Sequence, residues 1–457
     1  MRTRCASKVA PAVSGDHIGP DRLVRGVVID SREVHEGSLF FALPGERTDG
    51  HRFATDAHDR GAAACVVSRA APPVPASIRV DSPGEALIEL ARSERRTANW
   101  RVIGITGSVG KTTTKDFATA VLRSAFRVSP SPRSFNNAIG VPLTILGAGD
   151  DTEVLVAELG AGAVGEIAML SGIVCPEVGV VTAVGPAHLE TFGSLQGVAR
   201  AKAELVEALP RSGVAVLNAD DRTVASFAAR TDAHVLRFGR RPDVDVGAHG
   251  VRTDTAGHAR FRLVHEDGCV DLRLGVIGEH MVTPALAAAS CGIALGIPLE
   301  ACAAGLECAK PTSGRMQELT SPSGTLIIHD AYNANPMSMH AALRALAVVR
   351  NRTRSFAVLG PMAQLGASSP VAHERIGRAA AELGLHALVA VGEQARPIAD
   401  GALAAGMARQ RVRWCLDQDE ALDVVLNSVG PNDVVLFKAS RIAHLEMMVE
   451  ELLRLPR

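Results

Sequence analysis

The chain has 457 residues, enough for about three domains with cores of their own. Hydrophobic residues make up 47% and charged residues 21%, the balance of a globular protein rather than a disordered one. A net charge of −1 supplies no long-range attraction for nucleic acid or an anionic membrane, so neither is expected as a partner.

Aromatic residues are only 3%, so small aliphatic side chains must fill the cores. Residues 1–15 carry basic groups but no apolar stretch of the secretory kind. The most apolar run, 284–299, is about one turn short of a membrane span and is bounded by prolines, which predicts a buried Ala-rich helix and no membrane insertion. The eight cysteines include no Cys-x-x-Cys pair. They are expected to be reduced, with Cys291, Cys302 and Cys308 in core helices, and a cytoplasmic location fits.

Residues 1–23 are weakly patterned. Strand-like runs follow at 27–29, 39–43 and 62–67, separated by polar turns at Asp30-Ser31-Arg32 and at 45–51. They predict a small α/β domain over 1–98, with a proline-rich loop at 71–75 and a helix at 83–99 leading out of it.

A central domain is expected over 99–310. An apolar run at 102–105 enters Thr106-Gly107-Ser108-Val109-Gly110-Lys111-Thr112, and a helical run continues to residue 122. Strand, glycine turn and helix N-terminus make an anion site, because unpaired N–H groups and the helix dipole both favour a phosphate. Lys111 can reach terminal phosphates and the Thr112 hydroxyl suits Mg²⁺. The general phosphate-loop pattern has glycine where this chain has Ile105. Strand candidates at 153–159, 178–184 and 213–218 alternate with helical runs at 164–171 and 195–209, which predicts a mainly parallel sheet. Residues 252–277 instead alternate polar with apolar around Glu266-Asp267-Gly268, a hairpin signal for an antiparallel appendage.

The third domain, 311–457, reads as a second doubly wound, Rossmann-like unit. Its strands are expected at 325–329, 356–359, 387–391 and 434–437, and its helices at 337–348, 372–383, 421–426 and 442–453.

Three polar groups stand out in the central domain. Glu158 ends an otherwise apolar strand, where ligands of open α/β sheets bind; it is a metal-ligand candidate or a salt-bridged strand end. His188 lies in the loop Gly185-Pro186-Ala187-His188-Leu189-Glu190, and Lys202 lies in a helix. Taken singly, a loop histidine and a helical lysine are ordinary surface residues.

Together these pieces resemble the Mur ligase family, the ATP-dependent amide ligases of peptidoglycan precursor assembly. The family's phosphate loop, Thr-Gly-x-x-Gly-Lys-Ser/Thr, accounts for Ile105. The resemblance runs in order through Asp30-Ser31-Arg32, Gly45-Glu46-Arg47, Asn136-Asn137-Ala138-Ile139-Gly140, Glu158-Leu159-Gly160, Ala187-His188-Leu189-Glu190 and Ala201-Lys202-Ala203-Glu204. It continues through Asn218-Ala219-Asp220-Asp221, Gly314-Arg315 and Asp330-Ala331-Tyr332-Asn333-Ala334-Asn335-Pro336.

The resemblance implies ATP and Mg²⁺ as cofactors. The loop residues Gly107, Ser108, Gly110, Lys111, Thr112 and Thr113 would hold phosphates, and Thr112 with Glu158 one Mg²⁺. His188 and a carbamylated Lys202 would form a second metal site, and Lys111, His188 and Lys202 would be the catalytic groups. Asn136 and Asn137 match a segment that contacts adenine, while Arg315 and Asp330 reach the nucleotide from the third domain. Ser31 and Arg32 match part of a UDP-sugar site, and Tyr332, Asn333 and Asn335 a further substrate-binding segment. The implied reaction joins an amine, D-alanyl-D-alanine, to a UDP-N-acetylmuramoyl-tripeptide through an acyl phosphate, in a monomeric enzyme.

Several positions depart from the family pattern. Gly278-Glu279-His280-Met281-Val282-Thr283-Pro284 has Met281 and Pro284 where two asparagines are expected at the adenine end. Pro361 and Gln364 replace two acids, Ala439 replaces a glycine and Ala138 an acidic residue. Phosphate and metal groups are kept while base-side and acceptor-side groups change. A paralogue joining another acid and amine is therefore a second reading, and a nucleotide-binding protein without catalysis a third.

Overall fold

A computed structural model of the protein describes residues 1–45, 48–186, 189–349 and 351–454, with Leu189 described by its backbone alone. Glu46 and Arg47 of the first-domain motif lie outside the described residues.

The first domain is a five-stranded sheet in the order Asp16–Ile18, Ser77–Val80, Ala64–Ser68, Ser38–Phe41, Gly26–Val28. Only the Asp16–Ile18 edge is antiparallel. Strands Ser77–Val80 and Asp16–Ile18 fall where no strand was expected, as does the pair Arg4–Cys5 with Leu23–Val24. These are short segments whose pairing comes from neighbours rather than from their own periodicity. Helix Pro83–Thr97 starts at Ser82, whose hydroxyl accepts the Glu85 N–H, and buries Leu87, Leu90 and Ala91.

The central sheet has nine strands among the described residues. From one edge they are Gly268–Ile277, His258–His265, Val246–Thr253, His234–Gly239, Val214–Asn218, Val178–Val181, Arg101–Thr106, Val154–Glu158 and Val128–Pro130. The first three are antiparallel and the rest parallel, so the expected appendage extends the parallel sheet directly. Strand Arg101–Thr106 lies between Val178–Val181 and Val154–Glu158, where the strand order reverses and a crevice opens at the carboxyl ends. Helix Lys111–Leu122 leaves that crevice and packs Phe117, Val121 and Leu122 into the core.

The Ala-rich run forms the expected buried helix, Val282–Ala294, and Gly296 in a left-handed turn leads on to a second helix, Leu299–Glu307. Pro284 sits in the first turn, where its missing N–H costs nothing. Among the described residues no helix is long and apolar enough to cross a membrane. All eight cysteines are free. Cys291 and Cys302 are buried, as expected, but Cys308 is exposed because it caps the second helix instead of facing its core side.

The third domain is a six-stranded sheet in the order Gln317–Thr320, Leu326–His329, Val434–Lys438, Ser355–Leu359, Ala387–Val391, Val412–Cys415, parallel except for the first pair. Asn335 and Ser338 close a capping box on helix Pro336–Ala347.

Two features join the domains. Leu87 and Leu90 of the first domain share one apolar cluster with Val141, Ile145, Leu170 and Ile173 of the second. At the start of the third, the Asp116 carboxylate accepts the Thr312 N–H at 2.7 Å and its hydroxyl at 3.0 Å. Asp116→Ala is expected to destabilise the protein by about 1–3 kcal/mol, the worth of hydrogen bonds to a charged group at this part-buried site. An unchanged thermal midpoint would show that the linker is not held there.

Candidate active site

The phosphate loop owes its shape to two glycines and one latch. Gly107 has φ +150°, and a side chain there would strike the Thr182 hydroxyl; Gly110 is left-handed at φ +82°. The Ser108 N–H donates to the Ala183 carbonyl at 2.8 Å, and its hydroxyl bridges both backbone groups of Gly185 at 3.0 Å. The Thr182 hydroxyl donates to Val109 O at 2.6 Å. The loop is thus tied to the end of the neighbouring strand, while the first N–H groups of helix Lys111–Leu122 remain for an anion.

Lys111 turns back to donate to Gly107 O at 2.7 Å. Burial pulls its pKa below the usual lysine value, with Glu158 opposing and Arg315 reinforcing that shift. Thr112 donates to Glu158 Oε2 at 2.8 Å, and the Asn136 amide donates to Oε1 at 2.7 Å. Glu158 is 1% exposed and Thr112 3%. A hydroxyl and a carboxylate in contact beside a phosphate loop are the hard oxygen donors that Mg²⁺ takes. The residues present therefore fit a nucleotide phosphate with its metal.

Asn136 and Asn137 both line the cleft and also make hydrogen bonds within the protein. Asn136 orients Glu158, and the Asn137 side chain accepts the Ile139 and Gly140 N–H groups at 3.2 and 2.8 Å, capping helix Gly140–Leu146. The segment is a support of the carboxylate, fixed from below by Lys115, which donates to Ser131 O and Arg133 O.

Lys202 lies on helix Leu195–Glu207, 3% exposed, with its ammonium 5.9 Å from the Phe192 ring centroid. Burial, then the charge of Lys111, lower its pKa to about 7, against the pull of Glu204 and Glu166. Glu204, two residues on, instead accepts the Gly165 and Ala168 N–H groups at the start of helix Glu166–Val174. The expected partner of Lys202, His188, lies outside the described residues.

The third domain closes the cleft. Gly314, at φ +77°, turns the chain so that the Arg315 guanidinium lies 4.4 Å from the Tyr332 ring centroid, with Arg441 at 5.2 Å. The Arg315 Nε is buried and has no hydrogen-bond partner among the described residues. Asp330 is held by Lys438 at 2.6 Å and by the Met316 N–H at 3.1 Å. Lys438 was not singled out from the sequence, although a lysine ending an apolar strand is the same signal that marked Glu158.

One cavity of about 390 Å³ brings together Lys111, Thr112, Thr113, Glu158, Lys202 and Arg315. Asn136, Asn137, Tyr332, Asn333 and Asn335 also line it. A second, of about 460 Å³, shares Gly110, Thr113 and Arg315 with it and is walled by His280, Met281, Pro284 and Met337. Ser31 and Arg32 lie apart from both, in the first domain; Arg32 is exposed and pairs with Asp30 at 2.6 Å. Pro361 and Gln364 also lie outside the first cavity, in a loop held by bonds from Ser440 N–H to Pro361 O and from Met362 N–H to His373.

The chain matches three family models: the Mur ligase family catalytic domain over residues 23–95, the Mur ligase middle domain over 105–292 and the Mur ligase glutamate ligase domain over 314–441. It is 41% identical to UDP-N-acetylmuramoyl-tripeptide–D-alanyl-D-alanine ligase of Mycobacterium tuberculosis, over 94% of this chain and 92% of that one. A crystal structure of MurF from Acinetobacter baumannii superposes with a TM-score of 0.89 at 32% identity, covering 100% of both chains. MurF ligase from Thermotoga maritima in complex with ADP gives 0.81 at 29% identity, over 94% of this chain and 97% of that one.

Proposed function

Because the chain belongs to the Mur ligase family, we propose that it joins D-alanyl-D-alanine to a UDP-N-acetylmuramoyl-tripeptide by ATP-dependent amide ligation in peptidoglycan precursor synthesis. The observation that carries this reading is the single cleft where Lys111, the Thr112–Glu158 pair and Lys202 face residues 332–335 of the third domain. The reading divides the chain into a UDP-sugar-binding domain at 1–98, holding Ser31 and Arg32, an ATP-binding domain at 99–310 and a closing domain at 311–457. It takes the protein as a cytoplasmic monomer. The free cysteines support a reducing compartment, and sedimentation would check the monomer.

When bound, ATP supplies the phosphoryl group and Mg²⁺ the charge that offsets its oxygens. In this reading the N–H groups of Gly110 to Thr113, at the start of the helix, would hold the phosphates, and Lys111 would swing from Gly107 O onto the terminal ones. Thr112 and Glu158 hold one metal ion. A carbamylated Lys202 and His188 would hold a second; burial and a pKa near 7 support this for Lys202, because only the neutral amine adds carbon dioxide. Arg315, with its unpartnered Nε, meets the phosphates from the opposite wall, and the Lys438–Asp330 pair fixes that wall.

The substrate carboxylate then bonds to the γ-phosphorus as ADP leaves. The amine attacks the acyl carbon, phosphate leaves and the nitrogen loses a proton. Asn333 and Asn335 line the same cleft and would contact a substrate there. The test is phosphate release from ATP with UDP-N-acetylmuramoyl-tripeptide, with and without D-alanyl-D-alanine. Release stimulated by the dipeptide, with the amide formed, is the expected result. No product from this pair, while another acid and amine give one, would replace it with the paralogue reading.

A further inference from the structure

A nucleotide whose phosphates lie on Gly107–Thr113 must put its base in a space that adjoins the loop. The phosphate cleft itself is lined by Glu158, Glu166 and Lys202 and is the polar side. The second cavity adjoins the loop at Gly110 and Thr113 and is walled by Met281, Pro284, Met316 and Met337, a slot suited to a flat apolar ring.

We infer that this cavity seats the base and reads it loosely, so that guanine and hypoxanthine nucleoside triphosphates serve as phosphoryl donors alongside ATP. The inference deepens the proposed ligation and rests on its assignment of the phosphate loop. With such a donor the bookkeeping is unchanged: the substrate carboxylate takes the γ-phosphoryl group and the corresponding diphosphate leaves.

Most polar side chains around the slot already hold partners within the protein. Asn218 donates to Thr182 O and accepts the Asp220 N–H, and Thr182 donates to Val109 O. Asp220 accepts the Arg240 N–H, and Asp221 accepts those of Val184, Thr223 and Val224. Ser338 is used in its capping box, and Lys438 and Asp330 hold each other. Thr113 belongs to the phosphate loop, and Arg315 is shared with the phosphate cleft.

His280 and Thr283 remain. Burial keeps the His280 imidazole neutral, with its pKa lowered to about 4. A neutral imidazole offers one donor and one acceptor in either tautomer, and a hydroxyl offers both. Such groups satisfy the amino edge of adenine and the carbonyl edge of guanine equally. Purine bases are told apart by fixed donors and acceptors, and the thioether of Met281 and the ring of Pro284 supply none.

Apolar shape discriminates by about 10²-fold at most, whereas a site that hydrogen-bonds its ligand reaches about 10⁴-fold or more. The test is calorimetric binding of the non-hydrolysable β,γ-imido analogues of ATP and GTP to the full-length protein. A dissociation-constant ratio below about 10² is expected, and a larger preference for adenine would overturn the inference. Neither acid nor amine enters this measurement, so it decides base selectivity even if the proposed substrate pair fails. In Met281→Asn the ratio should rise about tenfold, the worth of one regained hydrogen bond. An unchanged ratio in that folded variant would mean that the base lies elsewhere.

Discussion

Lys111→Ala is expected to cut ligation by about 10³-fold or more while the fold is kept, because the side chain delivers charge where charge develops in transfer. Among the described residues its ammonium donates only to Gly107 O in its own loop, so truncation removes no support from another described element. Gly110 and the Ser108–Gly185 latch hold the loop without it. Circular dichroism and the thermal midpoint should match the parent protein while phosphate release is lost. Near-normal turnover in a folded variant would remove the loop from the reaction.

Lys202→Ala is expected to lose about 10²-fold or more in turnover, the size of effect seen when one group that offsets transition-state charge is removed. Formate or acetate should restore part of it by standing in for the carbamate oxygens. The pH dependence follows from the same amine. Its pKa is lowered to about 7, so the neutral form that adds carbon dioxide prevails above that pH and the ammonium below it. A carbamate signal in ¹³C NMR, after equilibration with labelled carbon dioxide, should therefore fade as pH falls through 7. Absence of that signal at pH 8, together with no rescue, would leave Lys202 as a plain buried amine.

In the sequence Lys202 stood out only through the family resemblance. The phosphate loop and Glu158 were legible there because one is a motif with a fixed spacing and the other a polar interruption of an apolar strand. The same logic reaches Lys438 at the end of Val434–Lys438, and only its silence as a motif hid it. Strand Val128–Pro130 carries no such signal: three residues ending in proline acquire their conformation from pairing with Val154–Val156. Asn136 and Asn137 show the limit most clearly. Their residue types suit a base, a carboxylate or a helix cap alike, and only the geometry assigns them to Glu158 and to helix Gly140–Leu146. His280, by contrast, was noticed as part of a motif, but its neutral state depends on burial that no local pattern reveals.

The apolar cluster that joins Leu87 and Leu90 to Val141, Ile145 and Ile173 bears on any attempt to shorten the protein. A chain begun at residue 99 would keep the complete phosphate loop yet turn those aliphatic side chains toward water. Contiguous apolar surface of that kind drives self-association. Such a fragment would be recovered in inclusion bodies or as aggregates rather than as a free-standing ATPase, so the first domain acts as a solubility partner for the central one.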